Sequence, residues 1–264
     1  MNQTIVLIPH YNNPQGLINS IASINETEQI DVLIVDDGSN KFKINEADIK
    51  IVFKAKGTLT FIYGIENKGI EYTLNKGLDI IVGYQKYKFV ARLDSGDLCL
   101  KNRFFIQEKF LIENPQIKLL GTNAKAIDLK GNFLYDLIRP EKHKEIHKKM
   151  FLNSMFIHPS VMFDISILNE IQGYPYHYSS AEDYAFFFEI VKKFETSNLQ
   201  QFLLHYEINP NGISQTKRDE QIRNRIKIIR NNFYLGFWPI LGILKNYILL
   251  IIPQKLVLTV KKHF

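Results

Sequence analysis

Three short apolar runs set the rhythm of the N-terminal part of the chain. Thr4-Ile5-Val6-Leu7-Ile8, Val32-Leu33-Ile34-Val35 and Tyr87-Lys88-Phe89-Val90-Ala91 are rich in β-branched or aromatic side chains and continuous rather than alternating. Runs of this kind suit strands of a parallel sheet that is covered on both faces. Between the first two, Pro14 to Thr27 places Leu17, Ile18, Ile21 and Ile24 on one side of a predicted helix, and Ile70 to Gly83 predicts a second. Strand, helix, strand is a crossover unit whose ligands sit beyond the carboxyl ends of its strands. Further on, Phe186, Phe187, Phe188, Ile190 and Val191 form an amphipathic stretch, and from Phe233 the chain turns strongly apolar.

Polar residues end these runs in a repeated way. Asp36-Asp37-Gly38-Ser39 follows the second run and Asp94-Ser95-Gly96-Asp97 the third. All are turn formers, so a solvated turn is the plain reading. The sharper reading is a metal-diphosphate site, because Mg²⁺ or Mn²⁺ takes oxygen ligands from one or two carboxylates and from substrate phosphates. Asp36 and Asp37 can accept from the N–H of a base or from ribose hydroxyls. A third acidic pair, Glu182-Asp183, tips the balance toward a site. It opens the Phe-rich stretch behind Ser179 and Ser180, where such residues cap a helix and complement its dipole. A general base fits the same position, since partial burial beside Tyr184 and the Phe cluster would lift its proton affinity. No P-loop and no G-x-G-x-x-G segment occurs, which argues against a P-loop kinase or a dinucleotide dehydrogenase.

Taken in order, Leu7-Ile8-Pro9-His10-Tyr11-Asn12, Val35-Asp36-Asp37-Gly38-Ser39, Asn67-Lys68-Gly69 with Asn75-Lys76-Gly77, and Asp94-Ser95-Gly96-Asp97 resemble family 2 glycosyltransferases of the GT-A fold. The likeness spans roughly residues 3 to 220. It implies an α/β domain with a Rossmann-like nucleotide-binding sheet, a mixed acceptor half, a nucleotide-diphosphate sugar donor, inversion at the anomeric carbon, and Mg²⁺ or Mn²⁺. On that resemblance Pro9, Tyr11, Asp36, Asp37, Asn67, Lys76, Asp94 and Ser95 line the nucleotide-sugar site, with Asp36 and Asp37 on base and ribose. Asp94 and Asp97 become the metal candidates, Asp183 the base that deprotonates an acceptor hydroxyl, and Glu182 its support. His158 and Tyr174 border the acceptor and donor-sugar pocket, although a lone His beside an apolar run also reads as a satisfied structural residue. One departure stands out. Gly96 occupies the position where the family most often has the metal-binding Asp, so either Asp97 or Asp94 takes the ion, or basic side chains hold the diphosphate instead.

Other residues carry weaker signals. Tyr176, His177 and Tyr178 form a ring cluster able to stack on sugars or simply to pack a loop. Lys76, Lys217 and Arg218 are candidate phosphate contacts or surface charges, and Lys68 lies in the first Asn-Lys-Gly turn. Arg92 and Arg103 flank the acidic turn, each able to pair with a carboxylate there. Asn209 to Ser214 reads as a turn in a loop over the donor. His143 and His147, four apart in a Lys-rich stretch from Glu141 to Lys149, lack an evident third metal ligand.

Length and composition bound these readings. The 264 residues, 45% of them hydrophobic, suffice for one substantial core, a catalytic domain over 1–220 with its nucleotide half ending at about 97, and a C-terminal appendage over 221–264. A single cysteine, Cys99, excludes an internal disulfide and reads as packing rather than chemistry. A net charge of +6 is dispersed, without a nucleic-acid motif. With a strand starting at once, no signal peptide is expected, which points to the cytoplasm. A membrane span takes about 20 predominantly apolar residues. The run from Phe233 is broken by Pro239, Lys245, Asn246 and Pro253, so it is expected to lie on an anionic membrane surface, on the cytoplasmic face of the inner membrane, or to pack back on the domain. The expected activity is transfer of a sugar to a glycan or lipid-linked acceptor in surface polysaccharide or lipopolysaccharide assembly. The rivals are a sugar nucleotidyltransferase and a non-catalytic nucleotide-sugar binding protein at the membrane.

Overall fold

A computed structural model describes residues 2–210, 212 and 216–252. The three apolar runs become β1 (Thr4–His10), β2 (Asp31–Asp36) and β4 (Phe89–Arg92), with β3 (Leu59–Tyr63) added at the edge. They pair in parallel in the order β3-β2-β1-β4. Their continuity in apolar residues has the expected cause. Ile5 and Leu7 of β1, with Leu33 and Val35 of β2, enter one core, while Val6, Ile8, Val32 and Ile34 enter another on the opposite face.

The crossover helices cover both faces. Helix α1 (Pro14–Ala22) begins with Pro at its first turn and the Asn13 side chain accepting from Gly16 N–H, a combination suited to a helix start. It stops short of the Thr27 suggested by apolar spacing, where Ser23 turns away and its hydroxyl accepts the Cys99 N–H at 2.8 Å. After α2 (Glu46–Val52), helix α3 (Ile70–Gly83) has the bounds read from sequence. Its Gly77 packs so near β1 that an added Cβ would lie 2.3 Å from a Leu7 methyl.

Beyond β4 the sheet becomes mixed. The two-residue β5 (Leu98–Cys99) leads to α4 (Arg103–Glu113), β6 (Ile117–Ile127), β7 (Phe133–Leu137) and α5 (His143–Lys149). Strand β8 (Met162–Asp164), α6 (Glu182–Lys193) and β9 (Glu195–Glu207) complete this mixed half, where an acceptor was expected. Among the described residues the nine strands form one sheet, ordered β3-β2-β1-β4-β8-β6-β9-β5, with β7 on β6. The carboxyl ends of β1, β2 and β4 open where the strand order reverses, the expected place for a ligand in such a sheet.

The C-terminal part is two helices, α7 (Arg218–Asn231) and α8 (Phe237–Ile251). Ile228 and Ile229 of α7 join the core shared by α3 and α6. Helix α8 packs inward through Pro239, Gly242 and Asn246 and leaves Phe237, Leu244, Ile248 and Ile251 exposed. Among the described residues no helix is long and apolar enough to cross a membrane. Lys255, Lys261, Lys262 and Pro253, together with Asn211, Ile213 and Ser214 of the expected donor loop, lie outside the described residues.

Candidate active site

At the ends of β1 and β2 the first acids work on the loops. Asp36 is buried, and its Oδ1 receives His10 Nδ1 at 2.7 Å and the Ser39 hydroxyl at 2.5 Å, while Oδ2 receives Ser39 N–H at 2.8 Å. His10 Nε2 accepts the Asn13 N–H at 3.1 Å, which fixes the ring's proton on Nδ1, toward Asp36. Asp37 accepts Lys68 N–H and Gly69 N–H, one on each oxygen, both at 2.9 Å. The second strand end is thereby tied to the first Asn-Lys-Gly segment. Gly38, at φ +68°, lets the Glu66 backbone pass too close for any side chain. Both aspartates thus shape the walls of the crevice. Tyr11 stands exposed between them and solvent, Asn67 is exposed, and Lys76 Nζ turns to Tyr63 O at 3.4 Å.

The acidic turn is held from three sides. Ser95 donates to Pro9 O at 3.2 Å, Asn13 Nδ2 donates to Ser95 O at 3.2 Å, and Gly96 N–H donates to Ser20 Oγ at 2.9 Å. Asp94 meets the fully buried Arg92 guanidinium at 2.5 Å. Arg103 forms no ion pair with these acids; it donates to Arg92 O at 2.7 Å and to Gln107 Oε1 at 3.0 Å, a buried brace behind the turn. Asp97 is buried, with Oδ1 accepting the Glu207 N–H at 2.8 Å and Oδ2 without a partner. Burial first, then the charge of Asp94, pushes its carboxyl well above the usual range. An orphaned, buried carboxylate oxygen beside a second carboxylate fits a hard divalent cation. Among the described residues no three His, Cys, Asp or Glu side chains enclose an ion by themselves.

The third pair faces this turn from the acceptor half. Glu182 and Asp183 sit in the first turn of α6. Glu182 is buried with Oε2 unpartnered, and burial, then the charge of Asp183, pushes it up to about 8. Burial and the Asp183 charge thus favour the protonated form of Glu182 near neutrality. Asp183 is half-buried, and its Oδ1 accepts the Tyr184 N–H at 2.7 Å. Arg225 of α7 faces the Asp183 charge, and Gln221 and Asn224 of the same helix hold Ser180 O and Ser179 O at 2.9 and 2.8 Å. His158 lies between the two halves. Its Nε2 accepts from the Tyr174 hydroxyl at 2.9 Å and faces Arg92 Nε at 3.4 Å, and burial and Arg92 together depress its pKa. Tyr174 is itself buried, its backbone bracketed by Asn75 of the second Asn-Lys-Gly segment at 2.7 and 2.8 Å.

Asp94, Asp97, Glu182, Asp183 and His158 are thus brought to one crevice. Lys217 and Arg218 are not. Lys217 pairs with Glu220 at 3.9 Å, and Arg218 bonds to Leu249 O and, at 3.2 Å, to Ile252 O at the end of α8. His143 bonds to Thr196 Oγ1 at 3.1 Å, away from any cation cluster among the described residues. Sequence reasoning overlooked Glu207, whose N–H bonds to Asp97, and Arg225, which faces the Asp183 charge. Glu207 carries the same signal as Asp36, an acid at a strand end just before turn formers, and could have been found by it.

The sequence model described as Glycosyl transferase family 2 matches residues 5–172. An uncharacterised glycosyltransferase of Methanocaldococcus jannaschii is 32% identical over 223 residues, 81% of this chain and 74% of the relative. The O-antigen biosynthesis glycosyltransferase WbnJ of Escherichia coli is 26% identical over 78% of this chain and 79% of its own length. Among solved structures, a mannosyltransferase of Pyrobaculum calidifontis in complex with GDP-Man and Mn²⁺ is similar in fold over 93% of this chain and 68% of its own, at TM-score 0.63 and 14% identity.

Proposed function

The chain belongs to glycosyl transferase family 2, and from that premise we propose that it transfers a sugar from a nucleoside-diphosphate donor to an acceptor hydroxyl with inversion, by a single displacement. The observation that carries the reading is the placement of Asp183 at the start of α6, on the acceptor side of the crevice that the Asp94–Asp97 turn borders on the other. Asp183 takes the proton of the acceptor hydroxyl. The freed oxygen attacks the anomeric carbon as the bond from that carbon to the diphosphate oxygen breaks, and the electron pair leaves with the nucleoside diphosphate. Attack from the face opposite the leaving group inverts the centre, the stereochemical logic by which inverting glycosidases also separate their two groups.

Asp94 and Asp97 would hold Mg²⁺ or Mn²⁺, which supplies positive charge to the departing diphosphate. The Pyrobaculum neighbour, solved with GDP-Man and Mn²⁺, supports that pairing. Arg92 keeps Asp94 in place, and His158, neutral through burial and Arg92, offers a polar edge to a sugar hydroxyl. For the acceptor, the relative named for O-antigen biosynthesis and the exposed apolar face of α8 support a glycan or lipid-linked substrate met at an anionic membrane surface.

Asp183→Asn is expected to lower transfer by at least about a hundredfold, the size of a general-base contribution. Calorimetric titration with UDP, GDP, CDP and dTDP, with and without Mn²⁺, should find donor-site binding undiminished in that variant. Unchanged turnover would remove Asp183 from the mechanism.

A further inference from the structure

Gly96 leaves the acidic turn without the side chain that the family pattern has there, and the fold brings another carboxylate into the same space. Strand β5 pairs antiparallel with β9 through Leu98 opposite His205 and Cys99 opposite Leu204. Carried toward the turn, that register sets Gly96 opposite Glu207, where side chains replace the ladder: the Glu207 N–H donates to Asp97 Oδ1 at 2.8 Å and the Gly96 N–H to Ser20 Oγ at 2.9 Å. Residues directly opposite across antiparallel strands project to the same face with Cβ atoms about 4.5–5.5 Å apart. A Cβ placed on Gly96 would in fact fall 2.6 Å from Glu207 Oε1. The Glu207 carboxylate therefore fills the volume that a residue-96 side chain would use. Gly96 has φ +115°, a backbone state that side-chain-bearing residues rarely adopt, so the turn itself disfavours an acid at 96.

Asp97 supplies an independent observation. It is 3% exposed, one oxygen is fixed by the Glu207 N–H, and the other has no partner. The acids it faces are Asp94 and Glu207. A buried carboxyl oxygen in that setting is satisfied by a proton or by a cation.

On the donor-site reading given above, we infer that Glu207 is an oxygen ligand of the divalent cation alongside Asp94 and Asp97, supplying from β9 the carboxylate that the turn lacks at Gly96. Asp97 is the rigid member. Glu207 is half-exposed on a longer stem and closes onto the ion as phosphate oxygens and water fill the remaining positions.

The test uses the full chain and Mn²⁺ as probe, alone and with each of UDP, GDP, CDP and dTDP, the free ion being read from its EPR spectrum. Glu207→Gln keeps the side chain's size and the backbone bond to Asp97. It is expected to weaken Mn²⁺ binding by at least about tenfold, with an unchanged melting temperature and unchanged nucleotide binding in EDTA. Equal Mn²⁺ affinity in wild type and Glu207→Gln overturns the inference, as does a wild-type chain that binds nucleotide but no Mn²⁺. A wild-type chain that binds neither nucleotide nor Mn²⁺ removes the donor-site reading itself.

Discussion

Of the acidic residues, Glu182 has the most distinct consequence for stability. Its folded carboxyl titrates near 8, against 4.5 for an unburied glutamate, because burial and the Asp183 charge disfavour ionisation. Between those values the folded chain holds a proton that the unfolded chain has released. Stability at Glu182 is therefore fully present below about pH 4.5 and lost as pH rises toward 8. Glu182→Gln, a permanent mimic of the protonated form, is expected to match wild type at pH 5 and exceed it at pH 8 by on the order of a few kcal/mol. Urea unfolding at the two pH values measures this; a constant difference between the chains would refute it. The sequence showed Glu182 and Asp183 as one acidic pair at a helix start. It could not show which of the two faces inward, because that depends on how α7 and α3 close over α6. Asp36 and Asp37 were legible as strand-end acids, yet their partners, His10, Ser39, Lys68 N–H and Gly69 N–H, appear only once the loops are folded.

Among the elements, β1, β2, α3 and the start of α6 were legible because their signals are local: continuous apolar runs and helical spacing. The serine cap expected ahead of α6 is not made, because Ala181 takes the N-cap position and no side chain caps the helix. Strand pairing is different. The contact between Leu98 and His205 joins residues from opposite ends of the catalytic region, and nothing in either short segment announces the other. For that reason Gly96 read as a gap in the acidic motif while the carboxylate opposite it went unseen. Helix α8 shows an intermediate case. Its broken apolar run was read either as membrane-facing or as packed inward, and it does pack inward along one face, with Gly242 so close to Phe151 O that an added Cβ would lie 2.0 Å away. The other face, with Phe237 at 69% and Ile251 at 82% exposure, is left uncovered by the other described residues. Leu244→Glu with Ile248→Glu should cut binding to anionic phospholipid vesicles several-fold in a flotation assay and leave the melting temperature unchanged. Equal flotation would take the membrane reading away from this helix.

For the whole molecule, the connection through Arg218 matters most. As a phosphate contact it would lie in the crevice; instead its guanidinium reaches the last carbonyls of α8. Arg218→Ala is accordingly expected to leave calorimetric nucleotide affinity unchanged while removing about 2 kcal/mol of stability, the scale of hydrogen bonds to a charged group. For a chain of this size that lowers the melting temperature by several degrees. Weakened nucleotide binding at unchanged stability would return Arg218 to the site. Arg218 opens the same helix whose Gln221 and Asn224 hold the backbone just ahead of Asp183, and whose Arg225 faces the Asp183 charge. The end of α8 and the backbone just ahead of Asp183 are thus both held by one helix, α7. On the proposed reading, a surface that holds the exposed side of α8 would also bear, through α7, on the loop ahead of Asp183, so anchoring and turnover need not be separate events in this molecule.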